Sequence, residues 1–245
     1  MTREKSRLNA TKRYLQLDLN SDNKLDSIAM LASHITQTPV AFITLIDKEV
    51  QWMKSCHGYS VPQMPRATSF CTHTIEQDDV FVVNDTLKSE HFCDYPVVKM
   101  AGARFYAGTP LRSHDGYNVG TLCVMDIKPN ELTEEQLVCL KALAKQIATI
   151  MELDLGKDLL QKTVADIELK NKEIKLQNTQ LREIAQIQSH EFRGPLSSVL
   201  GLMNLIKYEN YSVNKDYLVM MESAVNKLDE KICGVVKLAS KVAVA

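Results

Sequence analysis

The sequence predicts an α+β domain, an antiparallel sheet flanked by helices. A long coiled-coil helix follows, then an all-α helical hairpin that would form a dimeric four-helix bundle. Three observations predict this. Six of the seven prolines and five of the nine glycines fall within residues 1–150, among short apolar runs. From about residue 151 chain breakers become rare until Gly194-Pro195. Across 160–185 the seam residues recur at alternating spacings of four and three, the signature of a helix with one sticky stripe.

Residues 1–19 read as an N-terminal helix or lead-in. Over 22–36, Leu25, Ile28, Ala29, Ala32 and Ile35 form a helical stripe. Strands are predicted at VAFITLID (40–47), VQWMKSC (50–56), VFVVND (80–85), RFYAGTPLRS (104–113) and NVGTLCVMD (118–126), all rich in β-branched and aromatic residues. Asp115-Gly116 is a hairpin-turn signal, so the last two strands should be antiparallel neighbours. Thr133-Glu134-Glu135-Gln136 has the form of a capping box and opens a helix with Leu140, Leu143, Ala144, Ile147 and Met151 on one side.

The seam from Leu160 runs through Val164, Ile167, Asn171, Ile174, Asn178, Leu181 and Ala185. Asparagine at two successive a positions favours parallel two-stranded pairing at some cost in stability. A dimeric coil explains those asparagines better than an amphipathic helix with polar slips. A second helix is predicted from Lys215 to Val242, with Tyr217, Met221, Ala224, Leu228, Ile232 and Val235 on one face. The linker YENYSVNKD (208–216) is short and polar, as a helical hairpin needs.

Composition narrows the function. The 245 residues are 45% hydrophobic and 24% charged with net charge −1, enough for a real core and without the basic excess of a nucleic-acid or anionic-membrane binder. Six cysteines show no C-x-x-C pair and no metal-ligand spacing, so no metal site is expected and the thiols read as reduced. MTREKSRLNATKRY lacks the apolar core of a signal peptide. QLVCLKALAKQIATIMELDL carries Lys141 and Lys145 and is no membrane span. A cytoplasmic protein with no membrane association is expected.

The stretch SHEFRGPLSSVLGLMNLI (189–206) resembles the phosphoacceptor box of sensor histidine kinases, S-H-E-[LF]-R-x-P-L. A phosphoryl acceptor must offer a neutral nitrogen lone pair near neutral pH, which histidine does. The resemblance implies His190 as phosphoacceptor, Glu191 as its orienting base, and Arg193 as a phosphate contact or the partner of an acid on the next helix. Pro195 removes one helical hydrogen bond, which normally costs about 3 kcal/mol, so a bend or a break is expected just past the histidine. Gly194 departs from the Thr or Asn that positions water in phosphatase-active relatives, so strong phosphatase activity is not expected.

The segments VAFITLIDKEVQWMKSCHG (40–58), SFCTHTI (69–75), VVNDT (82–86), FYAGTPL (105–111) and VGTLCVMD (119–126) resemble a GAF domain of bacterial sensors, over about 20–155. Such domains bind cyclic nucleotides, haem, bilins, small metabolites or nothing. The N-K…F-x-x-x-D-E signature for cyclic nucleotides is not found, and the ligand stays unknown. Cys71 and Cys93 read as packed thiols, with redox or chromophore-linking roles as the alternative. His73 and His91 read as ordinary hydrogen-bonded histidines, with metal or haem ligation as the alternative. Trp52 and Phe70 read as core. Some GAF-fold proteins reduce free methionine sulfoxide with cysteine pairs; the spacing here does not convincingly match.

The two resemblances imply four parts: lead-in (1–19), GAF sensor (20–155), coiled-coil signalling helix (156–185) and histidine-kinase dimerisation and phosphoacceptor hairpin (186–243). They imply two-component signalling by a homodimer. The ATP-binding domain of such kinases, with its asparagine helix and D-x-G-x-G and G-x-G loops, has no counterpart in the sequence given. This chain alone is therefore expected to bind no cofactor; ATP and Mg2+ would act through a kinase domain supplied in trans. The phosphoryl group would pass to an aspartate of a response-regulator receiver domain. Two alternatives stand beside this: a non-catalytic scaffold that heterodimerises with full-length histidine kinases, or a GAF small-molecule or redox module that merely dimerises through the hairpin.

Overall fold

Pairing of β-rich segments builds the first part of the chain. The computed structural model describes residues 3–20 and 22–242, and the backbone alone at 187, 188 and 236–242. The expected hairpin's last residue, 243, lies outside the described residues. Chain order is α1 (Arg3–Leu15), α2 (Lys24–Thr36), β1 (Val40–Ile46), β2 (Val50–His57), β3 (Gln63–Pro65), α3 (Phe70–Ile75) and β4 (Phe81–Val83). Then come α4 (Pro96–Ala101), β5 (Phe105–Arg112), β6 (Asn118–Asp126), α5 (Glu134–Tyr208) and α6 (Lys215–Val242). Two compact units result, Met1–Thr163 and Val164–Ala245.

In the first unit the strands form one antiparallel sheet in the order β3-β2-β1-β6-β5-β4. Side chains alternate across it. Ala41, Ile43 and Leu45 of β1 and Leu122 and Val124 of β6 pack under α1, α2 and the start of α5. Phe42, Ile46, Tyr106 and Cys123 face the other side, where Phe70, Cys71 and Ile75 of α3 and Val98 of α4 cover them. The Asp115-Gly116 turn joins β5 to β6 as expected, with Gly116 at φ 84, a conformation glycine adopts without strain. Arg13 of α1 grips Asp115 through both carboxylate oxygens, at 2.8 and 2.9 Å.

The capping box forms as read. The Thr133 amide donates to Gln136 Oε1 (2.9 Å) and the Gln136 amide donates to Thr133 Oγ1 (3.3 Å). Gln136 Nε2 also donates to the Ile35 carbonyl (2.9 Å), tying the start of α5 to the end of α2. Leu140, Ala144, Ile147 and Met151 are buried, as the stripe predicts. Two readings shift. The expected strand at 80–85 is only Phe81–Val83. Trp52, read as core, is 39% exposed, because it lies on the opposite side of β2 from Gln51 and Met53.

No helix boundary occurs near 155–156 or 185–186: α5 is one helix of 75 residues that runs through Pro195. A break at Pro195 is thus absent, although the missing N–H leaves the Glu191 carbonyl without its usual helical donor. In the second unit Phe192, Pro195, Val199, Leu202 and Ile206 are the sheltered side chains of α5 near its end, spaced three and four apart. They continue, in phase, the heptad of Leu160 to Ala185. On α6 the sheltered residues are Tyr217, Met221, Ala224, Leu228 and Val235. Ile232, expected on that face, is 46% exposed; Lys231 occupies the turn and reaches Glu191 at 3.0 Å. The earlier seam stays open, with Leu160, Val164, Ile167, Ile174 and Leu181 between 46% and 64% exposed.

Candidate functional site

The face of the sheet away from α1, α2 and α5 holds a cavity of about 660 Å³, within the range of small-molecule sites. Its walls are mostly apolar, with Phe42, Met53, Phe70, Val97 and Met125 among them. Asp126 lines one part of it, and four other polar groups gather around one sulfur. Ser69, at the start of α3, accepts from the Cys71 amide (3.1 Å) and donates to Gln51 Oε1. That fixes the Gln51 carboxamide so its Nε2 donates to Cys71 Sγ at 3.4 Å. The Tyr106 hydroxyl donates to the same sulfur at 3.3 Å and lies 2.7 Å from Thr74 Oγ1. Cys123 Sγ, from β6, lies 3.6 Å from Cys71 Sγ. Gly108 makes this possible: a Cβ there would overlap the Tyr106 hydroxyl.

These contacts polarise the two thiols in opposite directions. Burial pushes the Cys71 thiol up, but hydrogen bonds to its sulfur, that from Cys123 first and that from Tyr106 among the rest, outweigh it and hold it below the usual thiol range. Cys123 is pushed well up, first by its hydrogen bond to Cys71 and then by burial and the adjacent sulfur charge. Burial, with the Cys71 charge behind it, raises Tyr106 well above the ordinary phenol. The arrangement is a pair of buried sulfurs 3.6 Å apart at a cavity wall, one of them met by the Gln51 and Tyr106 donors.

Reading by sequence missed this pairing. It singled out Cys71 but not Cys123, which is 52 positions away. Alternation along NVGTLCVMD puts Cys123 on one face of its strand, but nothing local shows that α3 lies over that face. Cys93, singled out with Cys71, is elsewhere, donating to the Glu90 carbonyl at 3.5 Å. His73 and His91 share the Tyr95 hydroxyl, at 3.0 and 3.3 Å. Burial holds His73 below the usual imidazole range. No cluster of metal-ligating side chains occurs among the described residues. Phe70 is both core and cavity wall.

In the second unit, the sheltered stripe defines the heptad phase of the SHEFRGPL segment. With Phe192 at a, His190 falls at f, the outermost position, and is exposed. Glu191 at g is held by Lys231 at 3.0 Å. Arg193 at b is exposed. The Ser198 hydroxyl donates to the Gly194 carbonyl at 3.2 Å, an extra bond just where proline thins the ladder.

The sheet, its covering helices and the cavity define a class. Residues 21–151 match the GAF domain family, and the chain belongs to it. A cyclic di-GMP phosphodiesterase of Pseudomonas aeruginosa is 35% identical over 133 residues, 54% of this chain and 23% of that protein. The chain thus spans under a quarter of that relative's length. Among solved structures, the GAF domain of a phosphoenolpyruvate-protein phosphotransferase from Coxiella burnetii is 11% identical with TM-score 0.47, over 64% of this chain and 99% of that one. A free methionine-R-sulfoxide reductase of Neisseria meningitidis is 17% identical with TM-score 0.45, over 62% and 85%. No described helix is long and apolar enough to cross a membrane.

Proposed function

We propose that this GAF-domain protein is a signalling sensor whose output is the phosphorylation of His190. The observation that carries the reading is the outward position of His190. It is exposed at f while Phe192, Pro195, Val199 and Leu202 around it are sheltered. An outward imidazole is open to a second domain, which phosphoryl transfer demands.

The chemistry follows from the groups. A ring nitrogen of neutral His190 attacks the γ-phosphorus of ATP held with Mg2+ by a kinase domain of another chain. The bond to the bridging oxygen breaks and ADP leaves. A response-regulator aspartate then attacks the phosphorus, and the N–P bond breaks. Glu191 orients the imidazole once it leaves Lys231, and Arg193 offsets phosphate charge. The open seam from Leu160 to Leu181 pairs with a second copy, Asn171 against Asn171 and Asn178 against Asn178, and the hairpins join as a four-helix bundle. An occupant of the GAF cavity, its identity unknown, sets the output through α5.

The test is labelling with γ-radiolabelled ATP, with and without a separately supplied kinase ATP-binding domain. Label should appear on the wild type only with that domain, and not on His190→Gln. Persistent label on His190→Gln, or none on any form, overturns the reading. A second reading, a regulatory module whose hairpin only dimerises or joins full-length kinases, is favoured by the Glu191–Lys231 pair, which occupies the carboxylate the imidazole needs. Absent label with intact dimerisation supports it.

A further inference from the structure

We infer that Cys71 and Cys123 are a peroxide-reactive modification site at the wall of the GAF cavity, closing to a disulfide when a small uncharged hydroperoxide enters. This stands apart from His190 and holds whether or not that residue is phosphorylated.

The geometry supplies each requirement. Two sulfurs on different elements, α3 and β6, already stand 3.6 Å apart with no atom group between them to displace but their own protons, whereas a disulfide holds its sulfurs at about 2.05 Å. One of them, Cys71, receives hydrogen bonds from Gln51 and Tyr106, donors that favour the thiolate. The other keeps its proton and stands beside it as the resolving thiol. Access selects the oxidant. Cys71 and Cys123 are 3% and 1% exposed, and both border the cavity. A reagent must therefore pass an apolar chamber of about 660 Å³. Hydrogen peroxide or a small alkyl hydroperoxide fits that description. A charged tripeptide disulfide such as glutathione disulfide does not.

The steps balance. The Cys71 thiolate attacks the terminal oxygen of ROOH, an S–O bond forms, the O–O bond breaks, and RO⁻ leaves as Cys71 becomes a sulfenic acid. RO⁻ takes a proton from water. The Cys123 sulfur then attacks Cys71 Sγ; its proton and the sulfenic hydroxyl leave as water, and the S–S bond forms. Two thiols are oxidised by two electrons and one hydroperoxide is reduced to ROH and water.

The test uses the full chain, reduced and then exposed to one equivalent of hydrogen peroxide. Remaining thiols are alkylated, and peptides are mapped by mass without reduction. Two of the six cysteines should be lost to alkylation, as a linked Cys71–Cys123 peptide, while exposed Cys233 stays alkylatable. On Cys123→Ser, dimedone should label Cys71. On Cys71→Ser, peroxide consumption should fall by about tenfold or more, since the resolving thiol alone is protonated. Wild-type mapping needs no variant to fold. Linkage through other cysteines with Cys71 left alkylatable overturns the assignment. Linkage by glutathione disulfide as fast as by peroxide overturns the choice of oxidant.

Discussion

The hydroxyl of Tyr14, on α1, donates to the carboxylate of Glu152, on α5, at 2.6 Å. The same oxygen accepts from the His114 amide at 2.8 Å and lies 3.1 Å from His114 Nδ1, in the β5–β6 turn. One acid on the outgoing helix thus gathers the N-terminal helix and the central hairpin. Tyr14→Phe keeps the ring and deletes the bond, and should cost about 1–2 kcal/mol at pH 7. Burial raises the Glu152 carboxyl, but the Tyr14 and His114 bonds outweigh it and leave it lowered. A depressed folded value means stability that is present above the ordinary carboxylate range and lost as pH falls below it. Thermal melts of wild type and Tyr14→Phe should therefore differ at neutral pH and converge in acid.

Glu4 gives a second acid-side signature. Hydrogen bonds from Arg7 and, against the cost of burial, Arg66 bring its carboxyl from 4.5 to about 2. Its contribution is complete above pH 4.5 and fades as pH falls toward about 2. Glu4→Gln should be less stable than wild type at pH 7, and the gap should close near pH 2. The carboxylate is 46% exposed, so about 1 M salt, which shortens the Debye length to about 3 Å, should narrow the neutral-pH gap as well. Melts in a pH and salt grid check both.

Gly108→Ala drives a methyl into the Tyr106 hydroxyl and crowds Thr74 Oγ1. Overpacking of this kind costs about 1–3 kcal/mol. If Tyr106 turns away, Cys71 loses a donor, and its thiol should titrate at higher pH. The pH midpoint of iodoacetamide modification at Cys71, followed by peptide mass, should move up relative to wild type. An unmoved midpoint would show that Tyr106 does not tune the sulfur.

The asparagines of the seam bear on assembly. Replacing both Asn171 and Asn178 by Leu should raise the melting temperature of the coil and loosen its preference for two strands. Sedimentation equilibrium should then show species beyond the dimer. Ile174→Asp, a charge at a d position, should shift the proposed dimer toward monomer in the same measurement.

Legibility followed the range of the interactions. The β5–β6 hairpin was readable from Asp115-Gly116 because a turn is local, and the start of α5 from Thr133 and Gln136 because a capping box spans four residues. The stripe of α2 was readable from its spacing. β3 is three residues long and α4 six, too short for periodicity to announce. Trp52 was misjudged because hydrophobic character does not say which side of a strand is covered. The thiol pair was invisible for a related reason: Cys71 and Cys123 meet only because α3 lies over β6, a tertiary fact with no local trace. At Pro195 the backbone stayed helical, since one missing donor in a helix of 75 residues is a local loss that the sheltered stripe of Phe192, Val199 and Leu202 on either side can offset.

The unbroken phase from Leu160 to Ile206 has a consequence for chain length. A helix that keeps one seam across both its segments can be resized only in whole repeats. Excising seven residues between 160 and 185 rotates His190 by almost nothing about the helix axis, whereas excising two turns it by about 200°. Length in this connector is thus counted in sevens. A domain grafted ahead of Leu160 will keep its register with the histidine segment only if its own last heptad arrives on the beat.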